Sequence, residues 1–231
     1  VFDNVAPSAP TLSATTPPGT SRDASVNIIG SVEANTTVFV FFDAGCPGTA
    51  VATGSADALL DGSVVVAVPY NVTVRFYAQS TDLAGNTSPC SDAGPSYLAD
   101  NIDPTLSNVT TSPASPSNSM TPTIRGTTAN ENNVQIHTAS DCNAPAGAPG
   151  TGTLFNDAGV PVSVVSNQLN SFWAQAIDPA GNISTCNPVI YVHDGVPPDS
   201  PTGLNTTPAT VGQSATPTVR GTIEPGTTGN L

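Results

Sequence analysis

An all-β architecture, tandem immunoglobulin-like Greek-key β-sandwiches in an extended array, is what this sequence predicts, on three observations. Apolar residues alternate with polar ones over short stretches bounded by Gly, Pro, Asn and Asp, the period of half-buried strands. The 23 Pro and 20 Gly leave no amphipathic helical run of useful length. Most tellingly, TDLAGNTSPC at 81–90 returns as IDPAGNISTC at 177–186, so that Asp82, Gly85, Asn86 and Cys90 stand 96 residues before Asp178, Gly181, Asn182 and Cys186. The same shift carries Cys46 onto Cys142 and Gly30 onto Gly126, which marks a structural repeat.

Seven short strands are expected in the first copy, at 10–15, 25–31, 37–43, 51–54, 62–68, 72–80 and 94–99, the number a Greek-key sandwich needs. In the second copy the clearest are 121–127, 133–138, 160–165 and 168–177. Comparing the copies assigns the faces. Val38 and Val40 match Val134 and Ile136, whereas Phe39 and Phe41, between and beyond them, match Gln135 and His137. Strand alternation sends these sets to opposite sides. The core is therefore Val38, Val40, Val64, Val66, Val68, Phe76 and Ala78, with Val134, Ile136, Val160, Val162, Val164, Phe172 and Ala174 in the second copy.

Domain joints carry their own marker. Phe2-Asp3-Asn4-Val5-Ala6-Pro7 recurs as Ala99-Asp100-Asn101-Ile102-Asp103-Pro104 and as His193-Asp194-Gly195-Val196-Pro197-Pro198, each time in the register of a strand end. The expected division is 1–3 as the tail of a preceding repeat, 4–100 and 101–194 as complete domains, and 195–231 as the start of a third. TPTVRG at 216–221 matches TPTIRG at 121–126. Both ends then cut a repeat, so a window on a longer array is expected. The third unit, lacking most of its strands, is not expected to fold alone.

Net charge is −13, with four Arg and no Lys, which excludes a basic face for nucleic acid. No apolar run reaches the length of a membrane span. Fourteen of the 17 acidic residues are Asp, a residue suited to turns and to oxygen-ligated cations alike. The four Cys fall two to a repeat at one spacing, which makes Cys46–Cys90 and Cys142–Cys186 the natural disulfides. Buried or metal-binding thiols are the alternative, with zinc disfavoured because no CxxC pair exists. Persistent disulfides imply an oxidising compartment outside the cytoplasm. In plain immunoglobulin topology the two members of each pair lie toward opposite poles, so the bond requires a long excursion after the third strand.

Two sets of residues are candidates for function. In a Greek-key sandwich the Asp-x-Ala-Gly-Asn turn lies at the pole where the chain enters. Asp82 and Asn86 then sit near Asp3, and Asp178 and Asn182 near Asp100, Asn101 and Asp103. Their oxygens, with backbone carbonyls, could supply the six to eight ligands of a calcium ion bridging linker and domain. The alternative is a tight hairpin in which Asp makes an Asx turn and Gly accepts a positive φ. The second set is Phe39, Phe41, Tyr77 and Trp173 on the outer sheet face, either a contact surface or, alternatively, ordinary cross-strand packing or a face covered by a loop. His137 and His193 form no ligand pair, and no nucleophile elbow or phosphate loop occurs. Asn35, Asn71, Asn86, Asn108, Asn182 and Asn205 lie in N-x-S/T sequons.

With Asp-x-x-(Ala/Asp/Pro)-Pro at the joints, the TPT(I/V)RG strand and the D-x-AGN-x-S-x-C segment, the whole chain resembles the bacterial Ig-like repeats of large secreted surface adhesins and biofilm proteins. That resemblance implies a non-enzymatic extracellular stalk, often stiffened by calcium at its joints, here at Asp3, Asp82, Asp100, Asp103 and Asp178. Partners would be further repeats of the same chain, neighbouring copies in a filament, or a cell-surface ligand. Binding of a glycan or protein by the aromatic face, and fibre formation by strand donation from the third unit, are the rival expectations.

Overall fold

The first domain of the computed structural model divides its strands between two layers, and the layers follow from the alternation. Residues 2–208 and 215–228 are described. One layer pairs β1 (Thr11–Thr16), β3 (Ser25–Ser31) and β6 (Val64–Ala67), in that order. The other is made of β5 (Ala52–Ser55), β4 (Thr37–Phe41), β7 (Thr73–Arg75), β8 (Tyr77–Thr81), β9 (Ser96–Ala99) and the short β2 (Thr20–Ser21), running β5–β4–β8 and β2–β9–β7. β7 and β8 are halves of one expected strand, broken at Phe76 where the return segment bonds to it: Gly94 donates to the Phe76 carbonyl at 2.9 Å. Alternation passes through the break, since Val74, Phe76 and Ala78 are all buried.

The second domain repeats the plan with β10 (Ser107–Ser112), β11 (Thr123–Thr127) and β14 (Val160–Pro161) facing β13 (Gly150–Thr151), β12 (Asn133–His137), β15 (Leu169–Ile177) and β16 (Asn187–Val192). All fourteen expected core residues are buried, none more than 7% exposed. Two buried tyrosines join them. Tyr97 donates its hydroxyl to the Asp23 carbonyl, and Tyr191 to those of Ser117 and Ser119. Each ties the chain between the first two long strands to the far sheet.

Two helical turns were not expected. α1 (Ala56–Asp61) is capped by Ser55, whose hydroxyl accepts from Ala58, and ends at Gly62 with φ 75°. α2 (Gly152–Asn156) is capped by Thr151 in the same way. Each delivers one fully buried plug, Leu59 or Phe155, to its core. Burying such a side chain contributes about 2–3 kcal/mol, which explains why the turn forms without a helical run in the sequence. Gly152 sits where a Cβ would meet the Ala129 carbonyl oxygen at 2.1 Å, so only glycine lets α2 begin there.

Both disulfides form as paired above, Cys46–Cys90 and Cys142–Cys186. The excursion they require is the loop 42–50, which folds back so that Val51 donates to the Val40 carbonyl at 2.7 Å. Cys90 is brought to meet it because the chain after β8 runs back along that strand, Ser88 donating to Ser80 and Ser91 to Ala78. Of the third unit, β17 (Thr202–Thr207) and β18 (Thr218–Thr222) pair as a hairpin matching β1–β3. Val219 stands at the place of the fully buried Ile124 yet is 36% exposed. Val1, 209–214 and 229–231, parts of the expected first and last segments, lie outside the described residues.

Candidate functional site: the domain joints

Asp-x-Ala-Gly-Asn is a turn built to present one amide. In the second domain the Asp178 N–H donates to the Asn182 carbonyl at 3.1 Å, and Gly181, at φ 90°, donates to the Asp178 carbonyl. Only glycine takes that conformation without strain. The Asp178 carboxylate then closes the turn from inside, Oδ1 accepting from the Asn182 backbone N–H at 2.8 Å and Oδ2 from Asn182 Nδ2 at 2.9 Å. A side-chain amide has two N–H groups. The second reaches out of the domain and donates to the Asp100 carbonyl at 3.0 Å. Asn182 itself is 1% exposed.

The first domain makes the same clasp. Asn86 donates to both Asp82 oxygens and, through Nδ2, to the Asp3 carbonyl at 3.3 Å. The Asn86 amide, then the N–H groups of Asn86, Ala84 and Gly85, hold the Asp82 carboxyl below its ordinary value, against a smaller opposing effect of burial.

The linker between the domains is gripped from both sides. Asp100 is the residue taken by Asn182 of the second domain; its own N–H donates to the Ser21 carbonyl of the first. Its neighbour Asn101 exchanges two amide bonds with Asn71, Nδ2 to Oδ1 at 2.8 Å and N to Oδ1 at 3.2 Å. Linker carboxylates make Asx turns: Asp3 accepts from Val5, Asp100 from Ile102 and Asp194 from Val196.

Asp100, Asp103 and Asp178 do line one cleft, of about 520 Å³, together with Glu131. Asp3 and Asp82 line the matching cleft of the first domain with Glu33. Among the described residues, however, no three His, Cys, Asp or Glu side chains come close enough to share a metal ion. Asn101 faces Asn71 instead of the cleft acids, and Asn86 and Asn182 spend their amides on the clasp. Asn71 was visible in the sequence only as a sequon; the signal that would have found it is its counterpart Asn167, 96 residues on and likewise at positive φ.

The outer aromatic face is smaller than expected. Phe41 and His137 are buried, at 6% and 5% exposure, and Phe39, Tyr77 and Trp173 are half-buried. The disulfide-closed loops are the reason. Ala146 donates to the Ile136 carbonyl and Thr138 to Ala144, which lays the second loop over His137. Phe41 pairs across the sheet with Tyr77 and His137 with Trp173, ordinary cross-strand neighbours.

No known family profile matches the chain, and no curated protein matches it. Solved structures with a similar course include the FN1–FN3 domains of chicken CNTN1, at 14% identity and a TM-score of 0.43, over 82% of this chain and 68% of that one. The BSP domain of a biofilm-associated protein matches at 15% identity and 0.27, over 82% of this chain and 30% of that one. Drosophila N-cadherin EC1-3 matches at 11% and 0.26, over 84% and 67%.

Proposed function

We propose that this chain is a non-enzymatic, extracellular structural segment, the shaft of a surface adhesin or filament. The observation that carries the reading is the repeated clasp: Asn86 to the Asp3 carbonyl and Asn182 to the Asp100 carbonyl, one at each entry to a domain. A turn inside a domain has no need of a side chain that bonds to its linker; a rod that must resist bending does. A disulfide in each domain suits the same load and an oxidising setting. Small-angle scattering on the whole chain tests it. A profile of an elongated particle with fixed domain orientation is expected, and one of domains tumbling independently would overturn the reading.

Calcium at the joint is a second reading, favoured by the four acidic side chains on one cleft. Because the Asp178 oxygens already accept from Asn182, an ion there would add to the clasp and not replace it. Thermal unfolding in calcium and in chelator separates the two. A ligand at 100 times its dissociation constant stabilises by about 2.7 kcal/mol. A higher melting temperature in calcium, lost in Asp103→Asn, supports the ion, whereas superimposed curves leave the joint to its hydrogen bonds.

A further inference from the structure

Both histidines of the chain lie in the second domain, and both are buried, each 5% exposed. The first domain has Phe41 at the place of His137, and Ala99, two residues after Tyr97, at the place of His193. The surroundings of His137 suit only the uncharged ring. Neither nitrogen of His137 has a hydrogen-bond partner, nor has Nε2 of His193. The remaining nitrogen, Nδ1 of His193, accepts from the Asn167 N–H at 3.0 Å, so it must carry no proton.

We propose that the second domain is the acid-sensitive segment of this chain. When His137 takes up a proton, the disulfide-closed loop over it opens, while the first domain, with Phe41 in that place, stays closed.

A proton on His137 puts a charge under the loop 138–149, where neither ring nitrogen has a hydrogen-bond partner. Asp141 is the one titratable side chain on that loop, and its carboxylate already accepts from Asn143. β13, α2 and β15, the elements packed on β12, carry none. The first domain has Phe41 at this place, which does not titrate.

The sign is fixed by His137. Burial lowers its basicity, with Asp141 opposing in part. A base depressed in the folded state stabilises fully above its unfolded value of about 6.5, and that contribution is lost as pH falls below it. The opening equilibrium then rises by up to about tenfold per pH unit for such a group.

Hydrogen exchange on the whole chain, corrected for the intrinsic pH effect, reads this domain by domain. Between about pH 7.5 and about pH 5, amides of β12 and β15 are expected to lose roughly tenfold in protection, and those of β4 and β8 to hold theirs. His137→Phe, the residue of the first domain, should abolish the difference. Equal loss in both domains, or a loss that persists in this variant, would overturn the proposal. Should the variant not fold, imidazole carbon NMR on the unaltered chain decides: titration with the second domain intact contradicts the proposal, and titration only as that domain opens supports it.

Discussion

Replacing Cys142 and Cys186 together by serine is expected to lower the stability of the second domain by about 4 kcal/mol, the loop-entropy value for closing a segment of this length. For a domain of about 95 residues that corresponds to a fall in melting temperature of roughly 15–30 °C. The first domain keeps Cys46–Cys90, so calorimetry should resolve two transitions, the lower belonging to the second domain. The loop 138–149 is held by few backbone bonds, chiefly Thr138 to Ala144 and Ala146 to Ile136. Without the staple it lifts from His137, and the ring becomes wet. The serine variant should therefore also lose the acid sensitivity assigned to His137, a second readout that a merely weakened domain would not produce. A fall of less than about 1 kcal/mol would mean that the backbone bonds hold the loop and the disulfide is incidental.

Much of the architecture was legible because strand alternation is a local signal that two copies report independently. Val38 and Val40 against Val134 and Ile136 decide the core face without any structure, and the shared cysteine spacing decides the pairing. The loop was legible as an excursion that the disulfide requires, but not in where it lands. Phe41 belongs by parity to the outer face and is nonetheless buried, because the staple carries loop 42–50 back over the sheet. Parity reports which side of a sheet a residue takes and is blind to what later covers it. The turns α1 and α2 escaped for a different reason: five or six residues show no helical period, and their capping Ser55 and Thr151 look like strand residues. At the joints the sequence left two chemistries open, an oxygen-ligated cation and a tight Asx hairpin. Asp178 and Asn182 offer oxygens to an ion or N–H groups to a carbonyl with equal ease, and only geometry says that Nδ2 faces Asp100.

Asn182→Ala is therefore expected to damage two things at once. It removes the bond to the Asp178 carboxylate and the bond to the Asp100 carbonyl, both made by a side chain 1% exposed. A bond to a charged acceptor contributes about 1.5–3 kcal/mol and a neutral one about 1 kcal/mol, so the second domain should lose about 3 kcal/mol. The same variant frees Asp100, and residual dipolar couplings should report independent domain alignment where the unaltered chain gives one common tensor. Asn86→Ala should do less, since its outward bond is longer, at 3.3 Å, and Asn86 is only half-buried. Asn182→Asp separates the clasp from an ion. It keeps the shape but exchanges the N–H groups for a carboxylate facing Asp178 and the Asp100 carbonyl, so a hydrogen-bonded joint loses at least as much as with alanine. A joint governed by calcium would instead gain a ligand and regain its alignment when calcium is added. Common alignment retained in Asn182→Ala would mean that Asn71–Asn101 suffices to orient the domains, and the stiffness of the joint would then rest on the first domain's side of the linker.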